Sequence, residues 1–151
     1  MTGPWLRPAR PTDAGGIAAI LSDWTDSTPW VPRVQSRAED LALAGAMVER
    51  GWVTLADTGA EHAAIAGFIA RDAETVHALY VAPWARGHGL GARLLDGAMA
   101  TAPHLTLWTF EANLSARRFY ARQGFVEVAR TDGANDEGLP DIQYRWNRRA
   151  A

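Results

Sequence analysis

The spacing of apolar residues predicts a short strand and a helix at the start of the chain. Residues 5–7 favour a strand that ends before Pro8, since proline cannot continue a strand interior. The first helix follows a cap at Thr12 or Asp13, and four apolar residues share one of its faces: Ile17, Ile20, Leu21 and Trp24. Residues 25–35 contain prolines without an apolar period, so we expect a loop there.

A second helix is predicted from its two ends. Ser36 and Glu39 have the spacing of a capping box, and Gly51 lies where a helix C-terminus favours glycine. Its apolar face is expected to contain Leu41, Ala44, Gly45 and Val48.

The rest of the chain alternates β-branched and apolar runs with turns and two further helices. The runs predict strands at 52–57, 63–70, 75–81, 105–110, 125–130 and 142–146. One helix covers 115–123 and ends at Gly124, and an acidic, glycine-rich loop joins the last two strands. The other follows the glycine-rich segment 87–91, with an apolar stripe at Leu90, Leu94 and Ala98. This order predicts an α/β protein of the α+β type, with a mixed sheet flanked by helices.

The segment between the strand at 75–81 and its following helix carries a chemical signal. It consists of Arg86, Gly87, His88, Gly89, Leu90 and Gly91. The first N–H groups of a helix lack internal partners and lie at the positive end of the helix dipole, so they bind phosphate. Glycine has no Cβ atom to keep a phosphate away, and Arg86 adds a positive charge. The sequence therefore predicts a phosphate-binding loop.

A dinucleotide-binding protein is one interpretation of this loop. Gly87, Gly89 and Ala92 fit the relaxed fingerprint G-x-G-x-x-A, and Glu111 lies near the expected position of a ribose-binding acid. The fingerprint should begin directly after the strand, whereas residues 82–86 intervene and include a proline. The dinucleotide interpretation is therefore the weaker one.

A second interpretation fits two separate segments. VAPWARGHGLGARLL (81–95) resembles the acyl-CoA pyrophosphate loop of the GNAT superfamily, V-x-P-x-x-R-G-x-G-x-G-x-x-L-L. NLSARRFYARQGF (113–125) resembles the N-x-x-A-x-x-F-Y-x-x-x-G-F signature of the same superfamily. The resemblance extends along most of the chain and is weakest over 22–36. It implies one GNAT-like domain over 1–151, with a mixed, mostly antiparallel sheet of about six or seven strands and about four helices.

The resemblance also implies how acetyl-CoA is held. The strands at 76–81 and 105–110 would run parallel and separate, forming the acyl-CoA slot. Backbone groups at Leu79 and Val81 would hold the pantetheine arm, and an N–H near Leu79 or Tyr80 would polarise the thioester carbonyl. The pyrophosphate would lie against Arg86, Gly87, His88, Gly89, Leu90, Gly91 and Ala92, with His88 contributing its backbone.

Two residues of the second motif have a structural explanation as well as a functional one. The resemblance implies that Tyr120 is the general acid for the leaving thiolate, although its spacing with Ala116 and Phe119 also suits a core aromatic. Asn113 matches an asparagine that hydrogen-bonds the pantetheine or a relayed water. Asparagine is also a good helix N-cap, and the two roles are compatible.

The catalytic base is left open by the sequence. An acyl thioester is already activated, so transfer needs a neutral amine, a polarised carbonyl and a proton for the thiolate. Glu111, at the end of the strand at 105–110, is the candidate base, and Glu74, Asp141 or a chain of waters are the alternatives. A carboxylate that is merely solvated is the more common case.

The acceptor pocket is expected to include aromatic residues. A cationic amine can lie on an aromatic face, helped by one carboxylate of the acidic loop, and a purely solvated loop is the other interpretation of that segment. By resemblance the pocket would contain Trp24, Trp30 and Trp108, with the carboxylate among Asp132, Asp136, Glu137 and Asp141.

The composition argues against several other classes of protein. The 151 residues include no cysteine, which excludes disulfides and thiolate metal sites, and the scattered histidines show no metal-ligand spacing: His62, His77, His88 and His104. A net charge of −2 without a basic stripe does not favour nucleic acid. No apolar run approaches the roughly 20 residues of a membrane span. We therefore expect a cytoplasmic protein without a metal or membrane partner, with a homodimer as one arrangement.

These observations together predict an N-acetyltransferase. We expect it to move acetyl from acetyl-CoA to a primary amine, of a small molecule in the first instance, by direct attack in a ternary complex. A protein N-terminus or lysine is the alternative acceptor. A non-catalytic acyl-CoA-binding module is the alternative outside the enzyme class.

Overall fold

The computed structural model describes residues 3–60 and 65–149, in which seven strands form one sheet. The strands are β1 Trp5–Pro8, β2 Val53–Asp57, β3 Ile65–Asp72, β4 Thr75–Val81, β5 His104–Phe110, β6 Val126–Thr131 and β7 Asp141–Asn147. The α-helices are α1 Ala14–Ser27, α2 Arg37–Glu49, α3 Leu90–Met99 and α4 Leu114–Arg122. Single 3₁₀ turns cover Pro11–Asp13 and Pro83–Ala85.

The sheet is mixed, as predicted. Its strand order is β1-β2-β3-β4-β5-β7-β6, and every neighbouring pair is antiparallel except β4 and β5. The predicted strand and helix order is therefore confirmed, including the parallel pair. The first residues of the strand predicted at 63–70, and Glu61 of the turn before it, lie outside the described residues.

Two details of the predicted helices were wrong. Asp13 occupies the predicted N-cap position of α1 but makes no side-chain capping hydrogen bond, because its carboxylate instead accepts hydrogen bonds from Arg7 and from the backbone N–H of Arg10. Leu41 is 48% exposed. The buried face of α2 consists of Asp40, Ala44, Met47 and Val48.

The capping box of α2 is confirmed. The backbone N–H of Glu39 donates to Ser36 Oγ at 3.1 Å, and the N–H of Ser36 donates to Glu39 Oε1 at 3.0 Å. The predicted loop at 25–35 begins later, since α1 continues to Ser27.

The sheet has a hydrophobic core on each face. Helices α1 and α2 cover β2 and β3, where Ile17, Ala44 and Phe68 are fully buried. Helices α3 and α4 cover the other face, with Leu95, Leu105 and Ile142 among the fully buried residues. Trp108 of β5 remains 48% exposed.

Strands β4 and β5 pair only at their first residues. The register contains one pair, Thr75 with Thr106, and the N–H of Thr106 donates to Glu74 O at 2.8 Å. Beyond this point β4 continues along β3 and β5 continues along β7. The inner edges of both strands are therefore left without a strand partner, and a cleft opens between them.

No helix in the described part of the chain is long and apolar enough to cross a membrane.

Gly67 sets how closely β3 approaches β4 beside the cleft. A Cβ atom at Gly67 would lie 2.7 Å from Tyr80 O and 3.2 Å from Val81 Cα, both backbone atoms that cannot move aside cheaply. We predict that Gly67→Ala lowers the free energy of unfolding by about 1–3 kcal/mol, because the two strands must separate.

Gly97 is the matched control, since a Cβ there meets nothing within 4 Å and the residue lies inside α3. Gly97→Ala should raise the free energy of unfolding by up to about 1 kcal/mol through helix propensity. Urea unfolding followed by tryptophan fluorescence measures both variants. Equal effects of the two substitutions would show that the strand contact at Gly67 is not tight.

Candidate functional site

The opening between β4 and β5 is a cleft of about 790 Å³. It is bounded by β4, the loop before α3, β5, α4 and the loop between β6 and β7. Backbone N–H and C=O groups on the free strand edges need hydrogen-bond partners, which water or an extended ligand can supply. The cleft is therefore suited to a long, amide-containing ligand.

The glycine-rich loop forms an anion-binding cradle at the start of α3. Gly89 is the N-cap, with φ 77° and ψ 11°, and Gly87 also has a positive φ of 80°. A Cβ at either position would project into open space. The first N–H groups of α3 therefore face the cleft without obstruction, as an anion requires.

Two arginines bring positive charge to the cleft. Arg86 lines it from the cradle, and its Nε donates to the carbonyl of Val81 at 3.2 Å. Arg122 and Gln123 line it from the end of α4 and were not predicted. Helical spacing could have found them, since Gln123 lies three residues after Tyr120.

Tyr120 has its ring in the core and its hydroxyl at the cleft. The residue is 8% exposed, and its ring lies 5.5 Å from the ring of Phe125. Its hydroxyl makes no hydrogen bond with another described residue, yet no fully buried side-chain N or O atom among those residues lacks a partner. The hydroxyl must therefore reach the cleft. Both interpretations of Tyr120 are thus compatible.

Burial raises the pKa of Tyr120 above its ordinary value, and the neighbouring Tyr80 raises it further. A phenol with a raised pKa keeps its proton at neutral pH. Tyr120 therefore carries a proton that it can donate to a group in the cleft.

Asn113 caps α4. Its side-chain Oδ1 accepts a hydrogen bond from the N–H of Ala116 at 3.1 Å, and the residue also lines the cleft. The capping interpretation is confirmed, and a contact with pantetheine stays a prediction.

Four aromatic side chains connect β4 to the end of β5 on the α1 side of the sheet. The ring centroids of Tyr80 and Trp24 are 5.7 Å apart, those of Trp24 and Trp30 are 6.0 Å apart, and those of Trp30 and Phe110 are 5.8 Å apart. All three pairs meet edge to face. We call this set the aromatic bridge. It spans the gap that the separated strands leave.

Arg33 holds the loop that carries Trp30. Its guanidinium donates to the carbonyls of Ser22 and Gln35 at 3.0 and 2.7 Å. It also pairs with Asp26 and with the buried Asp40, at 2.7 and 3.2 Å. Trp30 is therefore positioned by a hydrogen-bonded loop, although the sequence there has no regular period.

The structure brings most of the predicted residues to the cleft. Its lining includes Leu79, Tyr80, Val81, Arg86, Gly87, Gly89, Leu90, Gly91, Ala92, Asn113, Tyr120, Trp24, Trp108 and Asp141. His88 is exposed and does not line the cleft. Trp30 does not line it either, but its ring contacts Trp24 and Phe110, which do. His62 lies outside the described residues.

The candidate bases are distributed differently from the prediction. Glu111 is half exposed, lies outside the cleft lining and pairs with Arg130 at 3.8 Å. Glu74 also lies outside the lining. Asp141 lines the cleft and accepts a hydrogen bond from the Thr131 hydroxyl. Within 3–60 and 65–149, no three histidine, aspartate or glutamate side chains are arranged to hold a metal ion.

Comparison with known proteins supports the resemblance. The family model for the Acetyltransferase (GNAT) domain matches residues 42–148. The peptidyl-lysine N-acetyltransferase YiaC of Escherichia coli is 30% identical over 142 residues, which cover 86% of this chain and 90% of YiaC.

Two further proteins are similar over different lengths. The peptidyl-lysine N-acetyltransferase YjaB of Salmonella typhimurium is 36% identical over 74 residues. The match spans 49% of this chain and 50% of the length of YjaB. The structure of yncA from Salmonella typhimurium with its cofactor acetyl-CoA superimposes with a TM-score of 0.72 at 20% identity. That superposition covers 99% of this chain and 98% of yncA, and it shows a shared fold.

We predict that Asn113→Ala lowers the free energy of unfolding by about 1 kcal/mol, because the N–H of Ala116 loses its capping partner. Asn113→Asp should keep the wild-type stability, since a carboxylate also accepts that hydrogen bond. Urea unfolding of the three proteins is the measurement. An alanine variant as stable as the wild type would contradict the capping role.

Proposed function

We propose, since the chain belongs to the GNAT acetyltransferase family, that it transfers the acetyl group of acetyl-CoA to a primary alkyl amine. The observation that carries the proposal is one cleft with two features. An open anion cradle lies at the N-terminus of α3, and a protonated, unpartnered tyrosine hydroxyl faces the same cleft. The first feature suits a pyrophosphate, and the second suits a leaving thiolate.

The cleft fits acetyl-CoA by its donor set. In this proposal the N–H groups of 87–92 and the guanidinium of Arg86 bind the pyrophosphate. The free edge of β4 at Leu79 and Val81 binds the pantetheine amides in the way an added strand would. When bound, acetyl-CoA supplies an acyl thioester that an amine can attack directly.

The residues of this chain then stabilise the transfer. A backbone N–H near Leu79 or Tyr80 polarises the thioester carbonyl, in the manner of an oxyanion hole. The carbon–nitrogen bond forms as the carbon–sulfur bond breaks, and Tyr120 donates its proton to the departing sulfur. Tyr120 is therefore the catalytic acid of this proposal.

The amine must lose a proton before it attacks, since an alkyl ammonium has a pKa near 10. The sequence-based candidate Glu111 is engaged by Arg130 outside the cleft. We therefore propose that water in the cleft removes the proton. A role for Glu111 as the base stays a proposal, and it would have to act from outside the cleft lining.

The aromatic bridge on the acceptor side of the cleft favours an amine on an unbranched alkyl chain. The contact between Trp30 and Phe110 joins the loop after α1 to the end of β5, so the aromatic bridge closes that side of the cleft. In this proposal the contact restricts the acceptor side and favours an amine on an unbranched alkyl chain over an extended peptide. A small-molecule alkyl amine is therefore our first candidate.

A lysine side chain is the second candidate acceptor. YiaC and YjaB are named peptidyl-lysine N-acetyltransferases, and a lysine also presents its amine on a slim alkyl stem. A screen of CoA release with linear alkyl amines and with a lysine-containing peptide, each at equal concentration, decides between the two. The higher kcat/KM identifies the acceptor class.

We predict that Gly89→Ala raises the Kd for acetyl-CoA by about tenfold or more, because the new methyl group occupies the anion cradle. Isothermal titration calorimetry measures the Kd. Wild-type protein that does not bind acetyl-CoA would overturn the proposed function.

Gly51→Ala is the matched control. Gly51 has a φ of 74°, close to that of Gly89, and a Cβ there also meets nothing within 4 Å, but it follows α2 and does not line the cleft. Both variants should lose about 1–2 kcal/mol of stability through left-handed strain. Equal acetyl-CoA affinity in the two variants would contradict the cradle.

We predict that Tyr120→Phe lowers kcat by about a hundredfold or more and leaves the Kd for acetyl-CoA unchanged, because only proton donation is lost. Tyr144→Phe is the control, since the hydroxyl of Tyr144 accepts from Arg117 Nε at 3.4 Å outside this cleft. Steady-state rates of CoA release are the measurement. A wild-type protein that binds acetyl-CoA but transfers to no amine would instead be an acyl-CoA-binding module.

A further inference from the structure

The loop between β6 and β7 directs only some of its polar side chains into the cleft. This acidic loop covers 132–140. Asp132 and Asp136 are exposed and lie outside the cleft lining. Asn135 and Glu137 are half-buried and line the cleft. The acidic loop is therefore not purely solvated, because one of its carboxylates lines the cleft.

Asn135 fixes the conformation that presents Glu137. Its Nδ2 donates to the carbonyl of Leu139 at 2.7 Å, and its Oδ1 accepts from the N–H of Leu139 at 3.2 Å. The N–H of Gly138 also donates to the carbonyl of Asn135, at 3.1 Å. Three hydrogen bonds therefore close a turn around Glu137. The loop backbone that carries Glu137 is held in this way, so the loop loses less conformational entropy when a ligand binds.

Glu137 differs from Asp141, the other carboxylate that lines the cleft, in having no partner. Asp141 accepts a hydrogen bond from Thr131, and Glu111 and Glu127 both pair with Arg130. Glu137 makes no hydrogen bond or ion pair with any residue that the structure describes. A half-buried carboxylate is stabilised by a cation, and the cleft supplies none beside it.

Glu137 lines the same cleft as the groups proposed to carry the chemistry. Burial, and then the negative charge of Glu137, raise the pKa of Tyr80 to about 12. Tyr80 in turn contributes to the raised pKa of Tyr120. All three side chains line the same cleft. The Tyr120 hydroxyl, on a residue more than nine-tenths buried, independently offers a ligand in this cleft an unpartnered polar group.

An alkyl ammonium suits the cleft that Glu137 lines. Tyr80 and Trp24 of the aromatic bridge also line the cleft and offer apolar faces to an alkyl stem. Their rings attract a cation as well. The positive groups Arg86 and Arg122 come from the α3 and α4 side, whereas Glu137 comes from the acidic loop. The α3 and α4 side of the cleft therefore suits an anionic ligand, and the side of the acidic loop suits a cationic one.

We infer that Glu137 binds the ammonium group of the acceptor and makes the site select alkyl amines over arylamines. This inference rests on the proposed N-acetyltransferase function. Alkyl amines are cationic at neutral pH, whereas arylamines are neutral, so only the first class gains from the carboxylate. Glu137 is thereby a specificity-determining residue.

The test compares Glu137→Gln with Asp136→Asn, which removes the same charge from the adjacent, exposed position. Each protein is assayed with the alkyl amine that the wild type uses best and with aniline. We expect Glu137→Gln to raise the KM for the alkyl amine by about tenfold or more, with a smaller change in kcat. The rate with aniline and the Kd for acetyl-CoA should remain at the wild-type values. Asp136→Asn should match the wild type throughout.

Other outcomes separate this inference from the function on which it rests. If Glu137→Gln and Asp136→Asn behave alike in an active enzyme, the role of Glu137 is wrong and the proposed function stands. If the wild type neither binds acetyl-CoA nor acetylates an amine, both are overturned. Thermal melting checks that Glu137→Gln is folded. Glu137→Asp, which keeps the charge, should have a KM for the alkyl amine between those of the wild type and Glu137→Gln.

Discussion

The single pair of residues that joins β4 to β5 is the constraint on which the site depends. Because the parallel pairing stops after Thr75 and Thr106, each strand follows its other neighbour, and the two halves of the sheet separate. The free edges expose backbone groups that a continuous sheet would have satisfied. A ligand with amide groups can satisfy them, so the cleft follows directly from the end of the pairing.

Every functional element of the site is placed by that separation. The cradle begins where β4 ends, since the turn after Val81 leads into α3, and α4 starts where β5 ends. The same gap is crossed on the opposite face by the aromatic bridge from Tyr80 to Phe110. One side of the sheet therefore presents helix N–H groups and a tyrosine hydroxyl, and the other presents aromatic rings. This division suits two ligands that meet in the middle of the sheet.

The sequence predicted the parts of the site that depend on local patterns. The glycines of the cradle and the capping box at Ser36 have fixed spacings, so the order of residues was sufficient to find them. The aromatic bridge depends on residues far apart in the chain, and Trp30 lies in a loop that Arg33 fixes through tertiary contacts. The position of Glu111 after β5 predicts a base beside the cleft, but its pairing with Arg130 could not be inferred from spacing. Long-range pairing of charges was the information that the sequence lacked.

The unpartnered polar groups of the cleft argue for a ligand on energetic grounds. A polar group that lines a cleft without a protein partner is left to water, and a ligand that pairs with it there contributes binding free energy. Tyr120 and Glu137 are both left in this state, whereas nearby Asn113, Asp141 and Tyr144 have partners within the protein. The Tyr120 hydroxyl and the Glu137 carboxylate are therefore available to hydrogen-bond a ligand in the cleft. A proton donor and a cation-binding carboxylate in one cleft are the complementary requirements of a thiolate that leaves and an amine that arrives.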